Sequence, residues 1–96
     1  MKVSELSNGM KRVDIEVRLD EKGDTREVQS RFKDESYKVA TCIVSDSSGT
    51  IKLTLWNEQI DQVNVGDTIK IENGYITSFR GEDQLNVGKF GKLTVL

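Results

Sequence analysis

Strict alternation between apolar and charged side chains is the feature that most constrains the fold of this chain. In residues 13–19, four aliphatic side chains are separated by Asp14, Glu16 and Arg18. This period of two places the aliphatic residues on one face of an extended strand and the charges on the other. The same alternation returns in residues 51–56. The sequence therefore predicts strands rather than helices, each with one buried face.

Turn-forming residues divide the chain into short strands. The segment 46–49, Asp-Ser-Ser-Gly, predicts a tight turn, because Asp and Ser side chains bond back to the backbone and Gly accepts positive φ. Bends are expected at Gly23 and Gly74, and residues 25–33 would continue the first strand beyond its bend. Residues 92–96 would either extend the last strand or pair with the first. We expect five strands, at residues 13–19, 37–45, 50–56, 68–79 and 84–87.

The segment between the third and fourth strands is too short for a full helix. Residues 57–65 would form one or two helical turns, with Ile60 and Val63 on one side. The order β-β-β-α-β-β with two bent strands matches the OB-fold, an all-β, five-stranded Greek-key barrel with a short helical turn between strands 3 and 4. An SH3-like barrel is the main alternative, but it usually lacks that helical segment. The chain of 96 residues is expected to form one domain, residues 1–96.

Composition excludes several classes of function. The chain has no histidine and one cysteine, which removes zinc clusters, histidine-dependent nucleophilic sites and internal disulfides. No carboxylate pair suggests acid–base chemistry, so we expect a protein that is not an enzyme and has no metal or cofactor. Cys42 lies in an apolar segment and is expected to be a buried, reduced thiol. The net charge of −2 argues against binding duplex nucleic acid through bulk positive charge, although 14 Lys and Arg could still form a basic groove.

The sequence shows neither a membrane span nor a signal peptide. No apolar stretch approaches the roughly 18 residues of a spanning helix, and the N-terminus is polar. We therefore expect an intracellular, soluble protein of the cytoplasm or nucleoid.

Trp56, the single tryptophan, falls on the polar side of the segment 51–56. The three aliphatic residues of that segment share one face of the strand, so Trp56 lies on the other face with Lys52 and Thr54. A large ring beside a cation and a hydroxyl packs poorly in a core. It offers a platform for a flat, charged ligand, of which single-stranded nucleic acid is the commonest.

Tyr75 and Phe79 share one face of the fourth strand, and Gly74 decides which face it is. A straight strand would give both rings the parity of Ile71 and turn them into the core. A bulge at Gly74 would shift the phase by one residue, leaving Ile76 inside and the two rings outside. We favour the bulge, because Gly74 supplies the conformational freedom and Ile76 would otherwise be exposed. Packing of both rings in the core is the alternative.

With the shifted phase, the three rings form one patch flanked by polar side chains. Cations beside the rings would hold phosphates, and amides would reach base edges or sugars. The flanking candidates are Lys52, Thr54, Arg80, Gln84 and Asn86. In the loop between the first two strands, Arg26, Arg31, Phe32 and Lys33 would form a clamp over a bound strand. The alternative is a solvated loop, because nearby acidic residues partly cancel its charge.

The sequence resembles a known protein family. It is similar to archaeal single-stranded DNA-binding proteins of the simple one-OB type, to the human SSB-like proteins and, more distantly, to the OB domains of replication protein A. The similarity covers about residues 10–93 and is weak in the loop at 20–36. The segments that carry it are VSDSSGT at 44–50, IKLTLW at 51–56, VGD at 65–67, IKIENGY at 69–75, FRG at 79–81 and QLNVG at 84–88.

The resemblance implies that Trp56, Tyr75 and Phe79 stack bases. Position 75 is often tryptophan in that family, so Tyr75 is a departure that keeps a ring. Family members commonly carry a flexible, Gly-rich or acidic C-terminal tail that recruits partners, and residues up to Leu96 show none. We expect partners to be recruited either by a tail outside this sequence or by another surface.

The leading hypothesis is a sequence-tolerant single-stranded DNA-binding domain that protects exposed strands in replication, recombination and repair, with replication or repair proteins as further partners. One alternative is an OB scaffold whose outer face docks a partner protein. Another is an RNA-binding OB module.

Overall fold

The computed structural model describes residues 1–29 and 36–96, and for residues 88–90 it describes the backbone alone. Strands dominate, as the alternation predicts. The elements are a 3₁₀ turn at Val3–Glu5, then β1 (Lys11–Lys22), β2 (Arg26–Gln29), β3 (Ser36–Asp46), β4 (Gly49–Trp56), α1 (Glu58–Gln62), β5 (Thr68–Phe79) and β6 (Glu82–Val95).

The strands close into a five-stranded barrel. Their order is β1-β5-β6-β4-β3-β2, and an additional β1–β3 pairing completes the circuit. All pairings are antiparallel except that between β4 and β6. The predicted OB-fold, with its short helix between the third and fourth barrel strands, is confirmed.

The structure corrects one prediction, that residues 25–33 continue the first strand, and decides the alternative left open for residues 92–96. The first strand ends at Lys22, directly before Gly23, and the chain then forms the separate strand β2 at the edge of β3 rather than a continuation of β1. The C-terminal residues extend β6 and pair with β5, since Val95 lies opposite Ile69.

One face of every barrel strand supplies the core. The four alternating aliphatic side chains of β1 are at most 3% exposed, and Ile60 in α1 and Val63 directly after it join the same cluster. Cys42 is a fully buried free thiol, and burial raises its pKa. Among the described residues, no helix is long and apolar enough to cross a membrane.

The turn between β3 and β4 holds the N-terminal 3₁₀ turn against the barrel. Asp46 accepts hydrogen bonds from the Ser48 side chain, from the Ser48 backbone N–H at 2.7 Å and from the Val3 backbone N–H at 2.9 Å. These donors favour the charged carboxylate and lower the pKa of Asp46 to about 2, the Ser48 hydroxyl contributing most. The Asp-Ser-Ser-Gly segment is thus both a hairpin turn and an anchor.

A bulge in β5 sets which side chains face outward. The β5–β6 register shifts between Glu72 and Gly74, where the backbone of Asn73 has a φ of 56°. Ile71 before the bulge and Ile76 after it are both buried, so the parity of the strand changes by one residue. The favoured phase is therefore the one that the structure shows.

Gly74 has no space for a side chain. A Cβ atom there would lie 2.8 Å from the backbone oxygen of Asn86 and 3.1 Å from Cγ2 of Ile71. Because backbone on β6 cannot move aside without breaking the sheet, the bulge requires glycine at this position.

We predict that Gly74→Ala lowers the free energy of unfolding by about 1–3 kcal/mol, the usual cost of overpacking. Urea denaturation measures the change. Gly49→Ala is the matched control, because a Cβ there makes only an ordinary contact, 3.6 Å from Val3. Equal unfolding midpoints for the two variants would contradict the steric argument.

Candidate nucleic-acid interface

The outer surface of β4, β6 and β5 brings together most of the predicted site residues. Lys52 lies beside Gln84, which lies beside Thr77, and Thr54 lies beside Asn86, which lies beside Tyr75. We call this surface the aromatic face. Its members are Lys52, Thr54, Trp56, Tyr75, Thr77, Phe79, Gln84 and Asn86.

Three rings stand out from the aromatic face. The exposed fractions are 40% for Trp56, 38% for Tyr75 and 59% for Phe79. Tyr75 and Phe79 are four residues apart on one strand, about 13 Å, and Trp56 lies two strands away, about 10 Å across the sheet. At these separations each ring presents its own surface, so the face carries three separate platforms rather than one aromatic cluster.

The chain turns sharply just after Trp56 and thereby fixes its position. Asn57 has a φ of 52°, a left-handed conformation that is uncommon outside glycine. Two hydrogen bonds hold it: its N–H donates to the Lys38 carbonyl at 2.8 Å, and its side-chain oxygen accepts from the Lys38 N–H at 3.0 Å. The Trp56 N–H donates to the side chain of Gln59 at 3.2 Å. The backbone at Trp56 and Asn57 is therefore held by hydrogen bonds to β3 and α1.

Trp56 and Tyr75 line one open groove. Its volume is about 590 Å³, and Gln59 and Gln62 from α1 and Lys92 from β6 also contribute to its walls. Sequence reasoning did not select these three polar residues. α1 packs against β4 and faces β6 across the groove, an arrangement that no local pattern in the sequence signals.

Thr54 and Asn86 are less accessible than expected. Each is 8% exposed, because neighbouring side chains on the same face cover them. The amide nitrogen of Asn86 donates to Thr77 Oγ1 at 3.0 Å and to the Gln84 carbonyl at 3.2 Å, while Thr54 donates to Gln84 Oε1 at 3.2 Å. These residues form a hydrogen-bonded polar surface between the rings, and the hydrogen bonds make the face more rigid.

The two predicted cations on the face are both engaged. Lys52 forms an ion pair with Glu82. The pairing depends on the parallel contact of β4 with β6, which no local pattern reveals. The Arg80 guanidinium lies over the Phe79 ring, 5.2 Å from its centroid.

Arg80 sits in a strained turn. Arg80 and Gly81 have φ values of 53° and 81°, so they form the two-residue turn between β5 and β6 with positive φ at both positions. Asn, Asp or Gly is the usual first residue of such a turn. An arginine held there at a conformational cost, with its cation over an exposed ring, is typical of a binding site. The loop candidates Arg31, Phe32 and Lys33 lie outside the described residues.

A closed five-stranded Greek-key barrel with exposed rings on its outer sheet defines an OB-fold domain. The family model described as single-stranded DNA binding protein Ssb-like, OB fold, matches residues 6–95. The chain belongs to this family. The resemblance noted in the sequence is thereby confirmed, and the family is one of binding proteins rather than enzymes, as expected.

A relative of known function supports the family assignment at the level of sequence. The single-stranded DNA binding protein Ssb of Saccharolobus solfataricus is 36% identical over 92 residues, which cover 96% of this chain. The chain spans 61% of the length of that relative.

Solved structures show the same fold. The second OB-fold domain of replication protein A from Methanococcus maripaludis superposes with a TM-score of 0.80 at 22% identity, covering all of this chain and 93% of the domain. A replication protein A heterotrimer bound to ssDNA contains a similar domain, with a TM-score of 0.76 at 18% identity, covering all of this chain and 24% of that one.

Proposed function

We propose that this domain binds single-stranded DNA with little sequence preference, by stacking bases on Trp56, Tyr75 and Phe79. The observation that carries the proposal is that all three rings are exposed on one face, where the bulge at Gly74 turns Tyr75 and Phe79 outward beside Trp56. In this role the protein would protect exposed strands during replication, recombination and repair in the nucleoid.

Stacking supplies most of the affinity in this proposal. A base stacked on an aromatic side chain contributes about 1–3 kcal/mol, and every base has a face to stack. The net charge of −2 leaves little general attraction for phosphates. Binding is therefore expected to depend on salt less steeply than binding by a basic protein, because stacking releases no counterions.

Besides Lys92 in the groove wall, the two predicted cations Lys52 and Arg80 are placed to meet phosphates. Both have other partners in the free protein: the Glu82 carboxylate for Lys52 and the Phe79 ring for Arg80. A phosphate would have to compete with Glu82 for Lys52. Arg80 could contact a phosphate beside a base that stacks on Phe79, so the two residues would act together.

We predict that alanine at Trp56, Tyr75 or Phe79 weakens binding of oligo-dT about tenfold or more for each ring. Fluorescence anisotropy of end-labelled DNA measures the affinity. Val65→Ala is the matched control, because Val65 is a 61% exposed apolar residue that is not part of the aromatic face. Affinities like that of Val65→Ala in all three ring variants would rule out stacking on this face.

The same assay distinguishes the nucleic acids. A strand must offer unstacked bases to reach three separate platforms, so duplex DNA of equal length is expected to compete weakly. A matched RNA strand that competes better than DNA would instead assign the domain to RNA, since only the 2′-hydroxyl differs along the backbone.

We predict that Glu82→Gln strengthens DNA binding about two- to fivefold at low salt, because Lys52 is then released for a phosphate. One more phosphate contact steepens the plot of log affinity against log salt by about 0.7. Asp83→Asn is the matched control: it removes the same charge at the next residue, but among the described residues the ion-pair partner of Lys52 is Glu82 and not Asp83. An equal gain in both variants would show only the effect of net charge.

A further inference from the structure

A bulge in β1 compensates the bulge in β5. Lys11 lies opposite Tyr75, and Val13 lies opposite Gly74. β1 therefore advances by two residues where β5 advances by one, and the extra residue is Arg12, whose backbone has a φ of 54°. Glycine is the usual occupant of such a left-handed bulge position. The pairing beyond Gly74 contains the opposite shift, which restores the register of the two strands.

The bulge changes the phase of β1 and turns Lys11 outward. Lys11 has the same parity as the four buried aliphatic residues of this strand, so a regular strand would direct its ammonium group into the core. Instead Lys11 and Arg12 are both exposed, whereas Val13 is fully buried. Because aliphatic side chains fill the inside of the barrel, both cations project from its outer surface.

Lys11 thereby extends the aromatic face onto β1. Side chains directly opposite each other in an antiparallel pair project to the same side of the sheet, with their Cβ atoms about 5 Å apart. Lys11 therefore stands beside Tyr75, on the side of that ring away from β6 and from Trp56 on β4. The two compensating bulges place a ring and a cation next to each other on one surface.

The cations beside Tyr75 are available for an anion. Neither Lys11 nor Arg12 forms an ion pair with another described residue. The next outward carboxylate along β1, that of Asp14, accepts a hydrogen bond from the Asn73 N–H at 2.9 Å. Arg12 also holds a left-handed conformation that costs free energy outside glycine, and such residues cluster at binding sites.

We propose that Lys11 and Arg12 bind the phosphate of the nucleotide whose base stacks on Tyr75, so that the bound DNA strand leaves the aromatic face across β1. This inference rests on the proposed function and adds a phosphate site to it. A nucleotide phosphate fits these cations better than the carboxylate of a partner protein, because the exposed ring beside them offers a surface for the attached base.

The salt dependence of oligo-dT binding by Lys11→Gln tests the phosphate site. Loss of one phosphate contact reduces the slope of log affinity against log salt by about 0.7, so binding should be about eightfold weaker at about 50 mM salt and nearly unchanged at about 1 M. Arg18→Gln is the matched control, because Arg18 is exposed on the same strand, about 23 Å further along it. Equal slopes for the two variants would overturn the inference.

Arg12→Gly separates binding from packing. Glycine accepts the left-handed conformation without strain, so this variant should unfold at a urea concentration at least as high as the wild type. It should nevertheless bind oligo-dT several-fold more weakly at low salt. Unchanged affinity in a stable Arg12→Gly variant would show that the arginine does not contact the strand.

A double-mutant cycle tests the position of the phosphate. If Lys11 and Tyr75 hold one nucleotide, Lys11→Gln should weaken binding less in a Tyr75→Ala background than in the wild type. In a Phe79→Ala background, Lys11→Gln should keep its full effect. Equal losses in all three backgrounds would overturn the placement beside Tyr75.

Two patterns separate this inference from the proposed function. If the three ring variants lose binding while Lys11→Gln and Arg12→Gly match Arg18→Gln, stacking stands and the phosphate site is wrong. If the three ring variants bind normally, the aromatic face is wrong, and the phosphate site beside Tyr75 fails with it.

Discussion

The one-residue change of phase in β5 is the constraint on which the site depends. Before the bulge the strand buries Ile71, and after it the strand buries Ile76, so Tyr75 and Phe79 face outward together. Without the change both rings would enter the core and Trp56 would stand alone on the outer sheet. The packing of Gly74 against the Asn86 backbone leaves no space for any other residue at this point. A packing requirement inside the barrel thus decides what the outside can bind.

On the aromatic face, the three rings are exposed, whereas the polar side chains between them are hydrogen-bonded to one another. Asn86 and Thr54 use their polar atoms within the sheet, so the surface between the rings is rigid rather than a set of free donors. The rings are consequently held at fixed separations, which favours contact with successive parts of a strand over recognition of one base. Cations add little net charge, because Lys52 is already paired with Glu82. The arrangement suits a binder of many sequences.

The sequence predicted those features that depend on neighbours along the chain. Alternation in β1 and β4 predicted the core and the outward position of Trp56, and the glycine at position 74 beside Ile76 indicated the bulge. Features that depend on distant strands could not be predicted. The Lys52–Glu82 pair requires the parallel contact of β4 with β6, the hydrogen bonds of Asn86 require the pairing of β5 with β6, and the groove requires residues of α1 and β6 to meet; no local pattern records these contacts. Residues 25–33 were predicted to continue the first strand, whereas residues 26–29 form the separate strand β2 paired with β3; all four are exposed, so no apolar pattern could indicate that pairing.

The most direct measurement of the central claim is the emission of the single tryptophan during titration with oligo-dT. Because Trp56 is the only tryptophan in the chain, any change reports on the proposed site itself. The account predicts a saturable change in emission that follows the same binding curve as the anisotropy of labelled DNA. Saturation of the anisotropy with unchanged tryptophan emission would contradict it, since the strand would then be bound away from Trp56.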